Sequence, residues 1–288
     1  MNSVFKAGTS FLFSLFLFSL FSGSARKQDS NARKIVFSML ERTAKVKSIK
    51  YHMARFERYE GKYMRGELDA KVQMNPRKIY LKNSFPETGA EVLWAEGWND
   101  NKAHVHPNKF PWINLNFDPR GSTLMANQHH SIHEIGYSFF TMIIKDALNK
   151  HGEDFDKYVF FKGQFKILDR PAYLIEINFT EYKWGTYTVQ GNETLFDLEK
   201  KLVVPAYLVK ERNNLNAFDG LVPGQVLKVP NTYAKKSYVY IDIEKNVPIV
   251  MEVWDELGMF ERYEYRNLQV DPVISDSEFT PDFPEYGF

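Results

Sequence analysis

The sequence predicts an α+β fold: a large curved antiparallel sheet, a half-barrel covered by helices, with a small βααβ module inserted late in the chain. Three observations predict it. Apolar and polar residues alternate with period two, as in Leu68, Ala70, Val72 and Met74 against Glu67, Asp69, Lys71 and Gln73, the pattern of a strand with one buried face. Aromatic residues make up 16% of the chain and recur within such stretches, which favours a large half-buried sheet. Between Tyr187 and Pro230 the pattern changes to two short helical stretches between short extended ones.

In chain order, Asn31 to Lys45 reads as a helix, because Ile35, Val36, Met39 and Leu40 fall on one face. From Ile49 the period becomes two, ending at Pro76 and resuming at Lys78 to Lys82. Residues 90–97 and 102–106 form a hairpin across Gly97 to Asn101. A second helix is expected from Ser131 to Lys150, with Ser131 as N-cap and Glu134 completing a capping box. Ile135, Phe139, Met142, Ile143 and Ala147 would form its buried face. Strands return at 157–168 and 172–180 across the turn Asp169 to Pro171, with Tyr173, Ile175, Ile177 and Phe179 on one side. After the module, 238–243, 248–254 and 260–267 form a meander, and the tail from Phe279 is broken by prolines. About ten antiparallel strands result, a number at which a sheet curls.

The first 25 residues look like an export signal. Lys6 precedes an apolar run from Phe11 to Phe21, and Gly23 to Ala25 offer a small-residue cleavage site. The run is short for a bilayer span, which needs about 20 apolar residues, so no stable span is expected after its removal. There is no cysteine, hence no lipid-attachment cysteine and no disulfide, and core packing alone must stabilise the fold. Without Lys6 the chain carries 36 basic and 36 acidic residues. That balance lacks the basic stripe of a nucleic-acid binder. A periplasmic or secreted location follows as the expectation.

Tyr187-Thr-Val-Gln-Gly-Asn-Glu-Thr-Leu-Phe196 and Leu221-Val-Pro-Gly-Gln-Val-Leu-Lys-Val-Pro230 resemble the two ends of a LysM module. The resemblance implies a partner, peptidoglycan or another N-acetylglucosamine-containing glycan. It places the sugar groove between Asn192, Glu193, Thr194 and Leu195 on one wall and Leu221, Val222 and Pro223 on the other. Thr194 suits an N-cap, with Asp197 three residues on. Asn192 stands where that family usually has Gly, Glu193 where it has Asp, and Arg212 where it has an apolar residue.

Outside this segment, Lys78 to Lys82, Gly89 to Trp94, His130-Ser-Ile-His-Glu-Ile-Gly136 and the strands after residue 236 resemble the DUF1571 family of envelope proteins, found chiefly in Bacteroidota. Its layout is similar to that of LolA-type carriers, a half-open barrel with a helical lid over an apolar cavity. The implied organisation is a signal peptide over 1–25, the first part of the DUF1571/LolA-like domain over 26–185, the LysM-like insertion over 186–231 and the remainder over 232–288.

Two further groups are candidates. Phe56, Trp94, Tyr173, Phe179, Met251 and Trp254, with Met53 and Tyr240, would line a cavity for an apolar, lipid-like ligand or else fill a core. His129 and His133 are one helical turn apart and could share a metal, but the order is not the His-Glu-x-x-His of zinc proteases. With Ser131 as a cap the histidines straddle the helix start, which favours a solvated, polar helix entrance over a metal pair. His104 and His106 share one side of a strand and form a second such pair. Neither Gly-x-Ser-x-Gly nor a Gly-rich phosphate loop occurs. No catalytic residue, metal or cofactor is assigned. The expected role is non-enzymatic: carrying an apolar envelope ligand near peptidoglycan. The alternatives are a cell-wall-directed hydrolase using His129 and His133, or a structural interaction protein without a small ligand.

Overall fold

The computed structural model describes residues 21–288, with side chains from Asn31 onward. Most of the expected export signal lies outside these residues. Helix α1 (Phe21–Ala44) leads into β1 (Ser48–Tyr59), β2 (Lys62–Met74), β3 (Arg77–Phe85), β4 (Glu91–Ala95), β5 (Ala103–His106) and a short β6 (Leu115–Phe117). A long connection carries a 3-10 turn (Ile132–Glu134) and α2 (Ser138–His151) to β7 (Val159–Ile167) and β8 (Arg170–Asn178). The framework closes with β11 (Lys236–Asp242), β12 (Pro248–Asp255) and β13 (Gly258–Val270). Between β8 and β11 lie β9 (Trp184–Thr188), α3 (Leu195–Leu202), α4 (Ala206–Arg212) and β10 (Val226–Pro230).

The framework strands make one eleven-stranded antiparallel sheet in the order β6-β5-β4-β3-β2-β1-β13-β12-β11-β8-β7. The two edges, β6 and β7, do not pair, so the sheet stays open. Helix α1 packs on β7 and α2, and the main core joins Val36, Met39 and Leu40 to Ile49, Ile79, Ile175 and Ile241. On the other face the C-terminal tail lays Phe279, Tyr286 and Phe288 over Tyr80 and Leu93, with Tyr286 stacked on Tyr80 at 3.7 Å.

Three sequence expectations change. The capping box at Ser131 and Glu134 forms, but it caps the 3-10 turn and not the helix. Gly136 adopts φ +91°, which ends that turn, and α2 starts two residues later. A Cβ at Gly136 would also sit 3.3 Å from Met74 Cε and 3.5 Å from Ile49. The strands β7 and β8 are joined by Leu168 and Asp169, at φ 49° and 58°, a two-residue hairpin turn of the left-handed type; Arg170 and Pro171 belong to β8. Strand β6 was not anticipated.

The late segment has the expected βααβ order, its strands paired from Val226–Thr188 to Pro230–Trp184. Its flanks, Asn178 and Lys236, face each other across the β8–β11 pair. The module therefore leaves and rejoins the sheet at one rung, away from the lateral edges. It docks on the strand ends: Tyr59 of β1, Val253 of β12 and Phe260 of β13 pack into its core with Leu195, Leu198, Tyr207 and Leu227. The Tyr207 hydroxyl accepts the Glu60 N–H at 2.8 Å.

Candidate functional site

A cavity of about 120 Å³ lies between the helix-covered face of the sheet and the segment 128–144. Strand parity selects its floor. In β1, Met53, Arg55 and Glu57 point the same way; across the pairing they meet Tyr265, Tyr263 and Glu261 of β13, and Met251 and Val253 of β12 continue the row. The roof is Ile135, Phe139, Phe140, Ile143 and Ile144. Its N-terminal end is tied down: Arg77 donates to the carbonyls of His133 (3.0 Å) and Ile135 (2.5 Å), and the Tyr265 hydroxyl donates to Gly136 O at 3.3 Å.

One end of the cavity is apolar and the other is a buried polar cluster. Glu261, 2% exposed, accepts hydrogen bonds from His129 Nδ1 (3.0 Å), His130 Nε2 (3.0 Å) and Tyr233 (3.1 Å), with the Tyr263 hydroxyl oxygen 3.3 Å away. Glu57 accepts from Tyr263 at 2.5 Å and from Arg55. Room for the Arg55 side chain comes from Gly66, where a Cβ would sit 2.4 Å from Arg55 Nε. His129 is sandwiched between Tyr207 of α4 and Phe260, with ring centroids at 4.4 and 4.2 Å, and its Nε2 donates to Arg58 O at 3.0 Å.

Charges here are strongly perturbed. Burial alone would raise the Glu261 carboxyl, but His130 and His129 hold it far below the usual carboxylate range. Burial would lower His130, yet Glu261 overrides it and pushes the imidazolium up to about 10. Burial also opposes ionisation of Glu57, and Arg55 then brings it below its ordinary value. Glu199 of α3 approaches the same cluster from the module. Burial, reinforced by Glu134, pushes it up to about 8, and it accepts the Ala206 N–H at 3.2 Å.

Of the apolar residues proposed from sequence, Met251 lines the cavity, as does Met53. Phe56 and Trp254 do not: Phe56 follows Arg55 directly and points to the opposite face, and Trp254 lies beyond a register shift in the β12–β13 pairing. Tyr240 shares that outer face, opposite Val250. Arg65 lies over Phe56 at 6.0 Å, and Trp254 packs against Tyr238. Trp94 is core, its edge against His133 at 4.7 Å and its Nε1 donating to Asn101 O. Tyr173 packs on Phe161, and Phe179 on His151 and Tyr158. His129 and His133 thus serve different partners, and no cluster of three metal-ligating side chains occurs among the described residues. His104 and His106 bond Asn116 (2.7 Å) and Asn114 (2.9 Å).

In the module, Asn192, Val222 and Pro223 are exposed, Val222 at 62%. Leu195 and Leu221 are buried in the module core. Thr194 caps α3 in a capping box with Asp197. Glu193 is occupied by Tyr187 (2.9 Å), the Gln190 N–H (2.8 Å) and Lys201 (2.9 Å). The left-handed residue of this loop is Gly191, φ +68°, and Asn192 takes no special conformation. Arg212 lies over Trp184 at 4.6 Å and reaches Glu256 at 3.5 Å, which accounts for a charged residue there.

The cluster residues Arg55, Glu57, His130, Tyr233, Glu261 and Tyr263 were not singled out from sequence as a unit. The usable signal was charged residues in the inward phase of strands whose neighbours in that phase are apolar, such as Met53-Arg55-Glu57.

A model of the family described as "Protein of unknown function (DUF1571)" matches residues 46–212 and 222–288. The match runs from β1 through α4 and resumes before β10. No curated protein matches the sequence. Similar solved structures include the lipoprotein LppX of Mycobacterium tuberculosis, at 13% identity over 86% of this chain and 100% of that one, TM-score 0.41. The MucA/MucB complex of Pseudomonas aeruginosa is 10% identical over 87% of this chain and 60% of that one, TM-score 0.42. A LolA superfamily protein from Nitrosomonas europaea is 10% identical over 88% and 98%, TM-score 0.34.

Proposed function

Starting from a chain that belongs to the DUF1571 family, we propose a non-enzymatic envelope protein that binds or carries an apolar, lipid-like ligand beneath α2. One observation carries this reading: a cavity roofed by Phe139, Phe140, Ile143 and Ile144 with apolar floor residues and a polar end. At about 120 Å³ it resembles in size an engineered cavity of about 150 Å³ that takes up benzene. It admits the end of a chain. Among the described residues no helix is long and apolar enough to cross a membrane.

The test is native mass spectrometry of protein purified without detergent, alongside binding of the neutral dye N-phenyl-1-naphthylamine. We expect a co-purified apolar mass or saturable dye binding, either one abolished by filling the cavity with Ile143→Trp. Absence of both in the wild type refutes the reading.

For the module we propose export to the periplasm and association with peptidoglycan through a LysM-like groove. The βααβ order and the exposed loop residues Asn192, Val222 and Pro223 support this. Sedimentation with purified peptidoglycan tests it: the wild type should sediment and Val222→Glu should not. Equal behaviour of the two removes the glycan role.

A further inference from the structure

We propose that the cavity reads the head of its ligand, and that this head is a carboxylate received by His130 Nδ1 and Arg55. The inference rests on the apolar-ligand reading and specifies the chemistry of its polar end. His130 lines the cavity. Its ring is fixed from one side only: Nε2 bonds Glu261 at 3.0 Å and lies 3.3 Å from the Tyr233 hydroxyl. Phe139 and Tyr263 pack around the ring at 5.1 and 5.8 Å. Nδ1 is buried and has no hydrogen-bond partner among the described residues.

A buried donor without a partner is rare, and each instance calls for an explanation. With Glu261 holding the ring in its charged form, Nδ1 carries a proton, so the group that completes it must be an acceptor. The carboxylates lining the cavity are already engaged: Glu261 takes His129, His130 and Tyr233, Glu57 takes Tyr263 and Arg55, Glu134 takes Arg120 and the Ser131 N–H, and Glu252 takes Arg262 and Trp254. None can turn to Nδ1 without giving up a bond. Arg55 adds a second cation on the same wall.

The sign and number of charges choose the acid. Glu57, Glu134, Glu252 and Glu261 line the cavity with negative charge, and Glu199 adds to it at His130 above its raised titration. A singly charged carboxylate gains a charge-assisted hydrogen bond with less repulsion than a phosphate dianion meets. An alcohol offers a weaker acceptor, and an alkylammonium would set a donor against a donor.

The experiment compares decanoate, decanol, decyl phosphate and decylammonium as competitors of N-phenyl-1-naphthylamine at pH 7. Decanoate should compete at about tenfold lower concentration than decanol, about 1.4 kcal/mol, and ahead of decyl phosphate and decylammonium. His130→Gln keeps an amide N–H for Glu261 and removes the Nδ1 donor. In that variant the acid-to-alcohol ratio should fall to within about twofold with decanol unchanged. A second readout on the wild type is the ¹⁵N resonance of His130 Nδ1, which should shift with decanoate and stay fixed with decanol. Decanol equal to or better than decanoate overturns the head assignment while leaving the apolar site intact; so does a phosphate preference, or an unmoved Nδ1 resonance. If neither decanoate nor decanol competes, the apolar-ligand reading itself fails and the head assignment falls with it.

Discussion

Replacing Glu199 with Gln should stabilise this protein increasingly as pH rises above about 4.3, and leave it nearly unchanged below that. Glu199 is 1% exposed and stands in α3 where the module meets the framework. The Ala206 N–H that it accepts at 3.2 Å can equally be accepted by a Gln oxygen. The substitution therefore deletes a charge while keeping volume and hydrogen bond. Burial, then Glu134, push its carboxyl up to about 8, whereas an unfolded Glu titrates near about 4.3. Between those values the folded chain holds a proton that the unfolded chain has released, so stability falls as pH rises through this window and levels off above it. The gap sets a ceiling of about 5 kcal/mol at about 1.4 kcal/mol per pH unit. Relaxation and water entry around the ionised carboxylate reduce that ceiling, and about 2 kcal/mol is expected. For a chain of this size that is roughly 4–8 °C in Tm. Thermal unfolding of both proteins followed by circular dichroism from pH 5 to pH 9 provides the measurement. Curves that run parallel across this range would refute the buried, proton-holding carboxyl.

The tail supplies the opposite sign. Despite burial, Lys71 and Lys50 bring Glu278 down to about 2, so its contribution is present above about 4.3 and is lost as pH falls through about 2. Glu278→Gln should cost about 1–3 kcal/mol at pH 7, with the difference vanishing near pH 2 in urea titrations. Phe260→Ala opens a cavity shared by the module and β13 and should cost about 3–5 kcal/mol, read as a lower urea midpoint and faster proteolysis of the module. Thr194→Ala removes the cap of α3 and should cost about 1 kcal/mol while leaving dye binding under α2 unchanged. A loss of dye binding there would mean that α3 positions the cavity more directly than its packing indicates.

Most of the framework was legible in the sequence because burial on one face of a strand imposes period two, as in β2, β5 and β8, while β4 is buried throughout and read as an apolar run between turn residues. The second helix was misplaced because a capping box is local: Ser131 and Glu134 form it on a single 3-10 turn, and the signal that stops the turn is the left-handed Gly136 just beyond. The lining residues were misjudged for a different reason. Large aromatics drew attention for their size, but parity decides the face, and parity was already in the sequence. Met53 and Phe56 are three apart and cannot share a face. Arg55 and Glu57 could have been flagged by the same rule. Their partners Glu261 and Tyr263 could not, because the register that brings β1 against β13 joins residues about 200 positions apart.

The module shares its core with the framework, and this sets how any role for it can be separated from the cavity. Phe260 and Tyr59 pack among module residues, His129 is held between Phe260 and Tyr207, and His129 in turn bonds Glu261 at the polar end. Each step is a direct contact, so removing 186–231 would uncover Phe260, release one face of His129 and wet the carboxylate that orients His130. A truncated chain would lose head recognition even if no module atom ever touches the ligand. Changes on the far side of the module, at Val222 or Asn192, leave every one of these contacts in place. They are the substitutions that can divide attachment to a glycan from binding under α2.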